Sequence, residues 1–281
     1  MIEEKKSVVK TILYDGSSEA TGDGYQRDGI IMFKLRSLAI MKKWWIGCSG
    51  FYYKHWREKF YPRGLAQRKW FEFYCQSFNT VELNVTFYRY PKLEALRGWY
   101  MRSPENFRFT VKAPRLITHY KKFNNALREA RDFYELAGKG LAEKLGCVLF
   151  QLPPNLLFSG SNLENILSTL DPAFANVIEF RHESWWNEQV YKALRENNIT
   201  FCGISYPDLP DAVVRSVPVL YYRFHGVPQL YASGYSHEQL RSVADRINAF
   251  RGPEDIYAYF NNDIYAEAIK NALELSAMVA R

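Results

Sequence analysis

Short runs of β-branched and aromatic residues alternate with helical patterns from Trp44 to the end of the chain. Each run has the length and residue types of a buried strand, and turn residues separate the runs. The eight strand candidates are Trp44–Cys48, Thr80–Asn84, Phe107–Lys112, Cys147–Gln151, Asn176–Phe180, Thr200–Ile204, Val219–Phe224 and Asp255–Asn261. This alternation is typical of repeated βα units and a parallel sheet.

Segments between the runs carry apolar residues at helical spacing, as Phe71, Tyr74 and Phe78 do. Ser236 followed by Gln239 is a capping box, which predicts a helix start. Eight parallel βα units close most economically into one α/β (β/α)8 TIM barrel. An open doubly wound sheet is the alternative, but no GxGxxG loop follows the first run, which disfavours its dinucleotide-binding form.

Residues 1–43 differ in character from the rest of the chain. Segment 15–29, DGSSEATGDGYQRDG, is rich in Gly, Ser and Asp and has few apolar residues to bury. We therefore expect residues 1–43 to be a disordered leader and residues 44–281 to form the single barrel domain. Met41 immediately precedes the first strand, so translation starting there is a further hypothesis.

The alternation of side chains within each strand predicts which residues face the barrel axis. In the third strand Phe107, Phe109 and Val111 form an apolar row facing the helices, which turns Lys112 inward. The same reasoning places polar residues of six strands on one face, near the strand ends. They are Glu82, Asn84, Lys112, Gln151, Glu179, Arg181, Arg223, His225 and Asn261.

Burying charges around one axis costs several kcal/mol unless the charges are paired with one another or bind a ligand. The carboxyl-terminal mouth of a TIM barrel is where catalysis takes place, which favours an active site. The alternative is a layer of mutually paired charges that closes the barrel top.

Several motifs also carry a resemblance to a known family. WIGCSGFYYKHW, FNTVELNVTFYRYP, FRFTVKAP, QLPP, EFRHESWW, YYRFHG and YFNND occur in order between about Trp44 and Leu275. Together they resemble the YecE-like family, also called DUF72. The resemblance implies a TIM barrel, but the family name records an unknown function.

The family's polar signature positions match the residues selected by strand alternation, and they add His182 and Asn262 at the loop edge. The chain departs from the family pattern after the sixth strand, where GISYPDLP leaves Asp208 as a displaced acidic candidate. A second departure follows YFNND, where IYAEA replaces the usual Gly.

The inventory fits acid/base chemistry on a small anionic substrate. Glu82, Glu179 and His225 are the candidate catalytic residues, because unequal neighbours can divide carboxylates into acid and base and a histidine can shuttle protons. Cations hold a phosphate or carboxylate, and amides orient it. The candidate substrate-binding residues are Asn84, Lys112, Gln151, Arg181, His182, Arg223, Asn261 and Asn262.

Two other functions stay open. One is a metal-dependent phosphodiesterase or endonuclease acting on nucleic acid, with Glu82, Glu179, His182 and His225 as ligands; the many nearby cations disfavour a two-metal site. The other is non-catalytic binding of single-stranded nucleic acid, since FYYKHW and TFYRYP interleave aromatic and basic residues. The sequence predicts no cofactor, with a single divalent metal as the alternative.

Composition narrows the setting. The 281 residues are 47% hydrophobic with a net charge of +7, which suits a globular protein with an anionic ligand. No apolar run reaches the roughly 18 residues of a membrane span, and MIEEKKSVVK lacks a signal h-region. We therefore expect a soluble, cytoplasmic protein without membrane partners. Its four dispersed cysteines suggest neither zinc binding nor disulfides.

Overall fold

The computed structural model describes residues 24–27, 30–33, 42–217, 219–250, 252 and 255–280. The chain divides into two units, residues 1–39 and 40–281. In the first unit, strand β1 (Gly24–Arg27) pairs antiparallel with β2 (Ile30–Phe33). The rest of the predicted leader before residue 42, with Met41, lies outside the described residues, so its disorder and the later start stay predictions.

The second unit contains all eight predicted strands, with bounds within two residues of those expected from the sequence. They are β3 (Lys43–Cys48), β4 (Thr80–Leu83), β5 (Arg108–Lys112), β6 (Leu145–Gln151), β7 (Asn176–Glu179), β8 (Thr200–Ser205), β9 (Leu220–Phe224) and β10 (Asp255–Phe260).

The eight strands are parallel, and their order around the sheet is β4-β5-β6-β7-β8-β9-β10-β3. From β4 to β10, each strand therefore pairs with the next strand in sequence, and β10 pairs with β3. This order makes a nearly closed barrel, and it confirms the predicted TIM fold.

Side chains complete the remaining seam, between β3 and β4. Asn79 accepts from the amide of Ile46 at 3.1 Å and donates to the carbonyl of Trp44 at 2.8 Å. The Tyr74 hydroxyl accepts from the Cys48 amide at 2.8 Å and donates to the Thr80 carbonyl at 2.9 Å. These two residues therefore satisfy strand backbone groups that a ladder would otherwise pair.

Helices follow the strands and cover the barrel. They are α1 (Trp70–Ser77), α2 (Val85–Tyr88), α3 (Leu93–Arg102), α4 (Leu127–Leu141), α5 (Gly160–Thr169), α6 (Glu188–Glu196), α7 (His237–Ala249) and α8 (Glu267–Val279). The predicted capping box is present, because Ser236 accepts from the Gln239 amide while the Gln239 side chain accepts from the Ser236 amide. No helix in the described part of the chain is long and apolar enough to cross a bilayer.

The apolar core has two layers, divided by the strands. Alternate strand residues such as Ile46, Phe109 and Ile178 pack against the helices. The others fill the barrel itself, where Trp45, Tyr257 and further inward side chains form a separate cluster. This inner cluster fills the barrel interior below its carboxyl-terminal mouth. The inward polar residues therefore lie at the mouth.

Candidate functional site

Arg223, on β9, is the centre of a charged cluster at the mouth. Its Nη2 donates to Glu82 Oε1 at 2.6 Å, and its Nη1 donates to Glu179 Oε2. The guanidinium is 1% exposed and both carboxylates are fully buried. A charge this deep is stable only when paired, so the two glutamates form one unit with Arg223.

Strand alternation brings this unit together. Glu82 and Glu179 lie at the carboxyl ends of β4 and β7, and Arg223 projects inward from β9 between them. Tyr221 precedes Arg223 by two residues and shares its face, so its hydroxyl donates to Glu82 Oε2 at 2.6 Å from below. Ser49, after β3, accepts from Arg223 Nη2 at 3.4 Å.

Arg181 and His225 add a second tier. Arg181 Nη2 contacts Glu179 Oε1, and its guanidinium carbon lies 4.3 Å from the centre of the Tyr206 ring. His225 Nε2 lies 3.2 Å from the same Glu179 oxygen. On its other side, His225 Nδ1 lies 3.2 Å from Asn261 Nδ2, which is placed to donate. His225 Nε2 also lies 3.2 Å from Arg181 Nη2, so this nitrogen contacts both members of the Arg181–Glu179 pair.

The neighbours determine the charges. Burial opposes ionisation of Glu179, yet Arg181, Arg223 and His225 hold its pKa well below its usual range. Burial, and then the positive charge of Arg181 and Arg223, holds the pKa of His225 well below its usual range. At neutral pH, Glu179 is therefore an anion and His225 is uncharged.

Lys112 differs from the other cations of the mouth. Its Nζ donates to Gln151 Oε1 at 2.7 Å and lies 4.2 Å from the centre of the Phe87 ring. Only 8% of Lys112 is exposed, yet it forms no ion pair within the described residues. Burial, and then the charge of Arg223, lowers its pKa to about 7. This amine therefore changes protonation near neutral pH.

Two half-buried residues complete the rim. Asn84 follows β4, and its Nδ2 lies 3.4 Å from the Ser49 carbonyl. His119, in a π-helical turn after β5, contacts Thr118 Oγ1 at 2.8 Å. Burial, and then Lys112 and Arg181, lowers the pKa of His119 to about 4. His119 is therefore neutral, and it lies near Lys112 and Arg181. Its position in the loop after the third predicted strand is consistent with this placement.

Comparison with known proteins identifies the family. The model of "Protein of unknown function DUF72" matches residues 45–281. The chain belongs to the DUF72 family. Among curated DUF72 relatives, the UPF0759 protein YunF of Bacillus subtilis is 24% identical over 260 residues, covering 78% of this chain and 89% of YunF. The UPF0759 protein YecE of Escherichia coli K12 is 31% identical over 121 residues, covering 41% of this chain and 42% of YecE.

Solved DUF72 structures share the barrel. The crystal structure of a DUF72 protein from Thermotoga maritima is 27% identical with a TM-score of 0.77, and it covers 85% of this chain and 99% of its own. A second, from Enterococcus faecalis, is 18% identical with a TM-score of 0.71, covering 86% and 99%. These relatives support the fold, and they leave the chemistry of the mouth to the residues themselves.

Two predicted site residues of this DUF72 chain make local contacts instead. His182 Nδ1 accepts from the Ser184 amide at 3.3 Å and caps the short helical turn Glu183–Trp185. Asn262 is fully buried, and its Nδ2 donates to the carbonyl of Ser233 at 3.0 Å. The displaced acidic candidate, Asp208, is exposed in the loop after β8. The hydrogen bonds of His182 and Asn262 lie outside the Arg223 cluster, and their substrate-binding role stays a prediction.

Sequence reasoning missed several contacts of the DUF72 site. Tyr221 could have been found, because it shares the parity of Arg223 in YYRFHG. Ser49 and Tyr206 come from loops, where no periodicity predicts the direction of a side chain.

Asp263, after β10, is a buried carboxylate with partners of its own. It pairs with His55 at 3.0 Å and accepts from Trp56 Nε1 at 2.5 Å, and burial raises its pKa to about 6.

Metal-binding geometry is not apparent in this DUF72 mouth. Across the described ranges, no three His, Cys, Asp or Glu side chains gather as metal ligands would. Of the four predicted ligands, Glu82 and Glu179 are bound to Arg223, while His182 caps its turn. Both carboxylates of the cluster are thus already paired with an arginine.

Proposed function

We propose that this protein is an enzyme that binds a small phosphate- or carboxylate-bearing substrate at the barrel mouth and exchanges protons with it. Lys112 carries the proposal, because it is a nearly buried cation whose described contacts include no carboxylate. A buried charge requires a counter-charge, and a substrate anion would supply one. With the cytoplasmic location that the sequence predicts, the substrate would be a soluble metabolite.

The charge balance of the cluster supports an anionic ligand. Glu82 and Glu179 together carry two negative charges, which Arg223 and Arg181 already neutralise. Protonated Lys112 adds a further positive charge on the solvent side. An anion between Lys112 and Arg181 would restore neutrality, with Arg181 donating as a fork and Gln151 orienting the group.

Proton transfer is assigned to Lys112 in this proposal. Its pKa of about 7 makes the amine a base when neutral and an acid when protonated. Glu82 and Glu179 hold Arg223, and His225 orients Glu179, so these three predicted catalytic residues would act by positioning charge. A hydrolase or lyase reaction fits such an acid/base site.

Calorimetric titration with sulfate tests the binding step, because sulfate keeps its charge across the pH range of interest. We expect Lys112→Met and Arg181→Met each to weaken sulfate binding by about tenfold, the loss of roughly 1.4 kcal/mol of charged hydrogen bonding. Lys54→Met, which removes an exposed lysine from a mouth loop, should leave the affinity unchanged. Equal affinities in all four proteins would contradict the proposal.

The catalytic step needs its own experiment. A panel of phosphate esters and hydroxy acids is incubated with the protein, and products are followed by mass spectrometry. We expect conversion of at least one member, lost in Lys112→Met. Binding of panel members without conversion would show that the protein binds anions without catalysis, which would contradict the proposed enzymatic activity.

The exposed aromatic rim favours a second candidate, binding of single-stranded nucleic acid. Among the described residues, nine of the twelve exposed large hydrophobic side chains lie in the connections after strand carboxyl ends or in the short helix α2, Tyr52, Tyr88, Tyr120 and Tyr265 among them. Arg115 lies 5.8 Å from the centre of the Tyr88 ring and 5.3 Å from that of Tyr120. Stacked aromatics with interleaved cations are how single strands are held.

A labelled oligonucleotide of about 12 bases tests this candidate by fluorescence anisotropy. Binding that falls steeply between about 50 and 200 mM salt, and that weakens in Tyr88→Ala, would support it. No binding at the lower salt would reject it.

A further inference from the structure

A cavity of about 490 Å³ adjoins the charged mouth. Ser49 and Asn84 form one wall of it, and Ser49 is also the hydroxyl contact of Arg223. A larger cavity of about 560 Å³, lined by Trp44 and Asn79, lies at the amino-terminal end of the strands, where barrels do not carry active sites. The mouth-side cavity is therefore the one that can extend the site.

Aromatic rings form much of its lining, and Gln67, Arg68 and Arg102 add polar groups to it. Phe51, Phe71 and Trp99 line it, with the ring centres of Phe51 and Phe71 4.9 Å apart and those of Phe51 and Trp99 6.4 Å apart. Tyr52, 58% exposed, lies at its edge. Aromatic walls in mixed tilted and perpendicular orientations suit the faces and edges of another planar ring. The volume is within the range of small-molecule sites.

The turn after β3 shapes this wall. Gly50 has φ of +116°, a conformation that side chains disfavour, and a Cβ there would lie 2.7 Å from the Tyr53 hydroxyl. The Tyr53 hydroxyl in turn donates to the Ser49 carbonyl at 2.7 Å. The sequence SGFYY thus gives a closed turn that directs Phe51 into the core and leaves Tyr52 outside.

The cavity is lined by the end of β4, the strand next to the one that carries Lys112. Leu83 of β4 pairs in register with Val111 of β5, so the next residues, Asn84 and Lys112, are also neighbours. Adjacent strands lie about 4.8 Å apart. Thr86 Oγ1 joins the two chain segments by donating to the Lys112 carbonyl at 2.6 Å. The backbone at the edge of the cavity is therefore one strand spacing from the backbone of Lys112, whose side chain turns toward the barrel axis.

We propose that this cavity binds a planar aromatic ring of the substrate, so that the substrate class is a ring-bearing phosphate or carboxylate whose anionic group contacts Lys112. The inference rests on the proposed anion site and adds the second half of the ligand. Asn84 lines the cavity, and its Oδ1 has no hydrogen-bond partner within the described chain, so it can accept from the linking group or the ring.

Calorimetry at fixed pH compares inorganic phosphate with phenyl phosphate, cyclohexyl phosphate and adenosine 5′-monophosphate. We expect phenyl phosphate or the nucleotide to bind about tenfold tighter than inorganic phosphate, as one stacked ring contributes. Cyclohexyl phosphate, which is not planar, should show a smaller gain. Ring phosphates that bind no tighter than inorganic phosphate would overturn the inference.

Variants separate this inference from the anion site. Trp99→Ala and Tyr52→Ala should abolish the gain from the ring while leaving the affinity for inorganic phosphate unchanged. Tyr52 is exposed, so its variant folds even if Trp99→Ala does not. Tyr265→Ala, 63% exposed in the loop after β10, is the matched control and should keep the gain.

The two proposals fail differently. Retention of the full ring gain in both cavity variants would overturn the cavity assignment while leaving the anion site intact. Phosphate binding that is insensitive to Lys112→Met would instead reject the anion site, and this inference with it.

Discussion

Arg223 and Arg181 both contact Glu179, but they differ in what their loss would leave behind. Replacing Arg223 with Met leaves two buried carboxylates facing each other with one remaining arginine. Such an uncompensated buried charge costs about 3–5 kcal/mol of unfolding free energy. In Arg181→Met, Glu179 keeps Arg223, so we expect a loss of only about 1–2 kcal/mol. Urea denaturation of both variants measures the difference, and equal losses would contradict the central role of Arg223.

Lys112 predicts a pH dependence of stability. Its pKa is about 7 in the folded protein against 10.5 when unfolded, so the unfolded chain binds the extra proton between those values. Below pH 7 the folded protein holds the buried amine in its charged form, and the resulting loss of stability is at its largest. This loss becomes smaller as pH rises toward 10.5. Relative to Lys112→Met, the wild-type protein should therefore gain up to about 3 kcal/mol of stability between pH 7 and 10.

Urea denaturation of the two proteins at both pH values measures that gain. Using Lys112→Met as the reference cancels the titration of the other lysines and tyrosines. A difference between the two proteins that does not change with pH would show that Lys112 keeps an ordinary pKa.

At the scale of elements, the β3–β4 seam depends on close approach. A Cβ on Gly47 would lie 2.2 Å from the Thr80 carbonyl oxygen and 2.7 Å from the Tyr74 hydroxyl. Gly47→Ala should thus cost about 1–3 kcal/mol through displaced backbone. Gly98→Ala, in α3 with open space around the new methyl, should instead stabilise by about 0.5–1 kcal/mol. Denaturation midpoints of the two variants measure these effects. If both midpoints shifted in the same direction from that of the wild-type protein, this account of the seam would be refuted.

At the scale of the whole molecule, the barrel is expected to be independent of the leader. The family match begins at residue 45 and β3 begins at Lys43. A chain beginning at Met41 should unfold at the same temperature as the full chain, because all eight strands of the barrel begin after that point. Calorimetry compares the two, and a clearly lower unfolding temperature would assign the leader a structural role.

The order of βα units and the inward residues of each strand were predictable, because strand alternation has a period of two and needs no knowledge of the partner strand. Thus Glu82, Lys112, Glu179 and Arg223 were assigned to one face correctly. Pairing could not be predicted in the same way. Which carboxylate contacts which arginine depends on distances across the barrel between residues up to 141 positions apart.

The sequence by itself determined the barrel, its inward face and the collection of charges at one end. Only the tertiary structure decided that Arg223 is paired twice while Lys112 meets an amide and a ring. Loops explain the rest, since Ser49, Tyr206 and the cavity residue Phe51 are placed by turns without periodicity. Protonation belongs to the same level, because a pKa depends on burial and neighbouring charge, which exist only once the chain is folded.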